Sequence, residues 1–134
     1  MQFESLSGVD LNAASLLLRL GLGAVFVIHG YPKLKSRGNG AGQWLQSMGI
    51  PSGFGLFAGV VEFFGGIALL LGLLTPVVAV LFAAWIVALI WLNVVKVRKK
   101  FVGGYEFDVL LLIFVLALIA VGGGFYSLDH ILGF

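Results

Sequence analysis

The sequence predicts an all-α integral membrane protein, a four-helix bundle in one domain. Three observations carry that prediction. Hydrophobic residues make up 60% of the 134 positions against 10% charged, too little polar material to coat a soluble globule of this size. Mean hydropathy is +1.12. The apolar runs are close to 20 residues long and lack period-two alternation, which favours helices over a barrel, whose strands need only about ten residues.

The first run is expected over 13–31, with Asn12 as N-cap and Pro32 as its stop. The start MQFESLSGVDLN has no Lys or Arg, so it lacks the basic opening of a secretory signal, and the run is kept in the mature chain. A basic, glycine-rich stretch follows. In it Trp44, Leu45 and Met48 share one side of a turn at 42–49, suited to the headgroup boundary. The second run is placed at 54–74 and the third at 76–95, with Thr75 as cap and Pro76 at the first helical position. The fourth covers 105–121, with Glu106 and Asp108 in the first turn, where the helix dipole favours anions.

Charge placement suggests an orientation. Lys33, Lys35, Arg37, Lys96, Arg98, Lys99 and Lys100 all fall in the first and third connections. By the positive-inside rule, loops 32–53 and 96–104 are expected in the cytoplasm and both termini outside.

Glu62 is the residue to explain, because it interrupts an otherwise apolar span. An ionisable group in lipid normally faces a partner or a wet cavity. Gly55, Gly59 and Gly66 share its helical face, Gly65 is adjacent, and Gly23 and Gly30 form a similar stripe with Arg19 in the first span. Counting from the expected helix ends puts Arg19 and Glu62 about 7 Å apart in depth, a gap that long side chains can close. An Arg19–Glu62 pair is therefore expected, with Asp129 as a second candidate partner for Arg19. Such a pair can set helix register alone or form a functional site; the residues allow both. A second cluster, His29, Lys33, Asn93, Tyr105, Glu106 and Asp108, is expected at the cytoplasmic mouth, chiefly as membrane anchors, with His29 able to transfer protons.

Other chemistry is restricted. Cysteine is absent, which removes disulfides, thiolate metal sites and sulfur carriage by this chain. The two histidines, at opposite ends, argue against a bis-histidine haem, and no metal-binding spacing occurs. Nucleic acid is not implied by a net charge of +2.

Three segments carry a family resemblance: RLGLGAVFVIHGYPKL from Arg19, VVEFFGGIALLLGLLTP from Val60, and GGGFYSLD from Gly122. Together they resemble the DoxX family of small four-helix membrane proteins. The shared features are an early Arg, Gly then Lys ending helix one, Glu followed by Gly-Gly in helix two, and a late Ser-x-Asp. The resemblance covers nearly the whole chain and marks Arg19, Gly30, Lys33, Glu62, Gly65, Gly66 and Asp129. It implies a membrane subunit or anchor of a quinone- or sulfur-linked redox complex, an accessory subunit rather than an autonomous enzyme. Quinone is the cofactor it would contact, and soluble redox or sulfur-transfer proteins are its expected partners. Two other readings stand beside this one: a small proton-coupled carrier using Glu62, and a purely structural scaffold. The glycine faces also suggest a homo-oligomer, a dimer being the simplest.

Overall fold

In the computed structural model, which describes residues 10–133, the chain is all helical. Four helices are long and apolar enough to cross a membrane. Helix α1 (Leu11–Lys35) is followed by the short α2 (Asn39–Gln46), then α3 (Phe54–Leu71), α4 (Thr75–Trp91), α5 (Glu106–Val121) and the short α6 (Leu128–Leu132). α1 packs most extensively on α3, and α4 on α5. The core between these pairs is apolar: Leu22 and Phe26 from α1, Leu69 from α3, Phe82 and Ile86 from α4, Val115 and Leu118 from α5. At its centre the Phe26 and Phe82 rings stack at 3.9 Å.

Missing side chains set the α1–α3 spacing. A Cβ on Gly66 would fall 2.8 Å from the Gly23 carbonyl oxygen, and one on Gly30 would strike the Phe63 backbone nitrogen. One on Gly59 would meet Lys33 at 2.9 Å. The α1 and α3 backbones are thus in direct contact, as small residues at a helix crossing allow. Gly65 faces α4 instead, where an added Cβ would enter the Phe82 ring. Gly55 serves another neighbour: it accepts α2, and its absent Cβ would press on the Gly42 nitrogen and the Gly38 carbonyl.

Several ends differ from expectation. Pro32 does not stop α1, which continues to Lys35. Proline removes one N–H and crowds the preceding turn, a large cost in mid-helix. Here only one turn follows; it is closed by the Ser36 N–H donating to the Pro32 carbonyl and rests on Gly59. The N-cap is Asp10, whose carboxylate accepts from the Asn12 and Ala13 N–H groups. Asn12 instead accepts from the Phe125 N–H at 2.9 Å, tying the C-terminal segment to α1. α3 ends at Leu71, since Gly72 takes up a left-handed cap (φ 70°). Leu74 (φ 51°), not Thr75, is the N-cap of α4, and the Thr75 side chain caps nothing. At its far end α4 widens into a π-helical turn, Leu92–Lys96, before the loop to α5.

The four crossings give the bundle two ends. One holds the α3–α4 hairpin, the start of α1 and the segment after α5; we call it the hairpin end. The other holds α2 and the loop after α4 and carries the lysines; we call it the basic end.

Candidate functional site

The two polar residues expected to pair do not meet. Arg19 and Glu62 are both buried, at 1% and 3% exposure, but they belong to opposite ends. The reason is register. Gly23 lies against Gly66 and Leu70, Gly30 against Phe63, and Gly59 against Lys33. Arg19 is thereby level with Gly72, whose absent Cβ would sit 2.7 Å from Nη1. At 1.5 Å per residue, the ten positions between Gly72 and Glu62 amount to roughly 15 Å, twice the expected offset and beyond side-chain reach.

At the hairpin end, Arg19 is spent on main chain. Its guanidinium donates to the Leu69 and Leu70 carbonyls at 3.2 and 3.3 Å and to the Tyr126 carbonyl at 2.6 Å. The first two are among the last carbonyls of α3, where a cation complements the helix dipole. Asp129 does the converse. Its carboxylate accepts from the Leu74 and Thr75 N–H groups at 2.5 and 2.7 Å, satisfying the amino end of α4 with an acceptor from the far end of the chain. The same segment is held by the Asp129 N–H on the Gly72 carbonyl and by the Ser15 hydroxyl on the Gly122 carbonyl. Arg19 and Asp129 thus serve one hairpin without forming an ion pair with each other.

At the basic end, Glu62 meets Lys33, which the extension of α1 past Pro32 brings over it. Lys33 Nζ donates to both carboxylate oxygens, at 2.7 and 2.6 Å. This is the one ion pair among the described residues. The lysine side chain is 29% exposed, so the pair is closed on the core side and reachable from the other.

The pair forms one wall of a cavity of about 300 Å³ that also takes in His29, Asn93, Lys99 and Asp108. Asn93, on the π-helical turn, donates from its side-chain amide to the Asp108 carboxylate at 2.6 Å. Its carbonyl accepts from the Lys99 N–H, folding the loop back so that Lys99 reaches the cavity. His29 contacts the Val25 carbonyl through Nδ1 at 2.7 Å; a carbonyl can only accept, so Nδ1 is the donor and Nε2 is not used in this bond. Its ring lies over Phe107.

Glu62 therefore joins the cluster at the mouth. His29, Lys33, Asn93 and Asp108 line the cavity; Glu106 does not, because it accepts from the Gly103 N–H and fastens the bend before α5. Tyr105 packs on Phe101. Lys99 is the member that sequence reasoning missed: it reads as one of several loop charges, and only the hydrogen bond to Asn93 brings it inward. Chemically, the cavity offers two carboxylates, two ammonium groups, an amide and an imidazole beside an apolar core. It can hydrogen-bond a small polar head and exchange protons with it. Among the described residues no cluster of metal-ligating side chains occurs.

Comparison with known proteins agrees with the motifs. A family model, DoxX, matches residues 14–94, which include Arg19, Lys33, Glu62 and Asn93. "Putative oxidoreductase CatD" of Bacillus subtilis (strain 168) is 36% identical over 115 residues, 86% of this chain and 84% of that protein. No solved structure matches. With the family model covering more than half of the chain and the relative aligned over most of both lengths, this multi-pass membrane protein belongs to the DoxX family.

Proposed function

We propose that this protein is the membrane-embedded component of a redox system, contacting a quinone at the Lys33–Glu62 cavity and working with soluble redox or sulfur-transfer proteins. One observation carries the reading: the buried Glu62, doubly hydrogen-bonded by Lys33, lines a cavity with Asn93 and Asp108 beside the apolar core. Placing charge in such surroundings is costly, and intramembrane ionisable groups generally mark a pathway or a binding site. The name of the relative, an oxidoreductase, supports the same direction. Quinone reduction adds two electrons and two protons to the ring. In this reading the electrons come from the soluble partner, and the chain's residues hold the ring oxygens and supply protons. Because the chain has no cysteine, any sulfur-carrying step falls to that partner or to bound substrate.

The seven Lys and Arg residues gathered at the basic end support placing that end in the cytoplasm, and the glycine faces support a homo-oligomer. The experiment is purification in native lipid, followed by solvent extraction and quinone titration. Bound quinone, or saturable quinone binding weakened about tenfold or more by Glu62→Gln, is the expected result. Neither quinone nor a co-purifying redox protein, together with proton-driven solute flux that Glu62→Gln abolishes, would replace this reading with that of a carrier.

A further inference from the structure

Beside the polar cavity lies a second space, of about 250 Å³, between α2 and the faces of α3 and α4. Its lining is apolar apart from Lys33, and it includes Trp44, Trp85 and Trp91, which are all the tryptophans the chain has. The two spaces share three walls: Lys33, Trp44 and Leu89 line both. Trp44 and Trp91 are 44% and 52% exposed, so the slot opens at the outer surface of the bundle, where the bilayer lies. The roof over it is not loose, since α2 is seated on α3 through the contact of Gly38 and Gly42 with Gly55. A polar chamber adjoining an apolar slot, with Lys33 on the wall of both, suits an amphiphile with a compact head and one apolar tail. A ligand of that kind dissolves in the membrane and gains by keeping its tail out of water throughout.

We propose that the slot holds the tail of a membrane-soluble, single-tailed ligand whose head reaches Lys33 and Glu62, so that the ligand enters sideways from the bilayer past Trp44. For the identity of the head this rests on the quinone reading above; the slot itself does not.

The tryptophans make the test direct, because a quinone ring or a brominated chain close to an indole quenches its fluorescence. The protein in detergent micelles is titrated with a prenylated benzoquinone, with the same ring lacking the tail, and with a brominated single-chain fatty acid. The prenylated probe is expected to quench saturably, with half-saturation at least about tenfold lower than that of the tailless ring, since the tail shares its micelle and adds close contact along the slot. Ala88→Phe, which fills the slot from α4, is expected to raise the half-saturation of the tailed probe about tenfold and that of the tailless ring far less. Ala41→Phe fills it from α2 and serves where the first variant does not fold. Equal potency of tailed and tailless rings, or tailed binding untouched by both fillings, overturns the slot and leaves a quinone in the cavity standing. A brominated fatty acid that quenches saturably while neither quinone does supports the slot and overturns the quinone. Quenching that never saturates with any probe overturns both.

Discussion

The two ends of this bundle use buried charge in opposite ways. At the hairpin end, Arg19 and Asp129 bond to backbone groups, a cation on the last carbonyls of α3 and an anion on the first amides of α4. Each group completes a helix, and the cluster is finished by bonds from Ser15, Asn12 and Gly72. At the basic end, Lys33 and Glu62 engage each other, and around them lie groups with bonding capacity to spare, facing a cavity. Between them runs the apolar layer of Phe26, Phe82 and Ile86. Similar residue types thus make different bonds: at one end charge is bonded to main chain at helix ends, and at the other it is bonded to another side chain beside a cavity, where the proposed chemistry would lie.

The largest effect should come from breaking the ion pair on one side only. Lys33→Met leaves Glu62 buried without a cation and is expected to cost about 3–5 kcal/mol, read as unfolding in a denaturing-detergent titration. The double variant Lys33→Met/Glu62→Gln should recover most of that loss; a double variant no more stable than the single one would show that the pair is not what holds these groups. Next is Gly30→Ala, whose added methyl meets the α3 backbone and should cost about 1–3 kcal/mol by forcing the helices apart. Thermal melts followed by circular dichroism measure it, and an unchanged melt would mean that the helices are not in direct backbone contact.

Asp129→Asn puts an amide N–H where an acceptor is needed. A loss of about 1.5–3 kcal/mol is expected, with quinone titration at the other end unchanged. This variant separates the two ends most cleanly, and a large change in ligand binding would contradict the division. The smallest change in stability, about 1 kcal/mol, is expected for Asn93→Ala, which frees the Asp108 carboxylate while keeping the backbone carbonyl that holds Lys99. Its ligand affinity should nevertheless fall more than that of Asp129→Asn, and the reverse order would break the comparison.

The membrane bundle was legible because a run of about 20 apolar residues is a strong local signal that needs no knowledge of neighbours. Pairing was not. Depth along a span depends on where its helix ends, and a first helix that stops at Pro32 leaves Lys33 off the helix and out of reach of Glu62. Nothing local corrects that, because the α1–α3 register is set by where glycines on two helices coincide. Asp129 is similar: a carboxylate capping a helix normally lies next to it in sequence, and this one lies 54 residues beyond Thr75. The grouping of His29, Lys33, Asn93 and Asp108 near one end follows from helix counting, whereas their closure around Glu62 follows from packing.

The distant cap also has a consequence for the order of assembly. The ribosome releases Asp129 only after all four spans have been made, so until then the Leu74 and Thr75 amides lack the carboxylate that satisfies them in the finished bundle. The nascent hairpin is accordingly incomplete until the short helix that carries Asp129 has emerged. A chain interrupted before Ser127 would keep every crossing yet lose the clasp that joins them, leaving quality-control proteases an unlatched bundle to recognise.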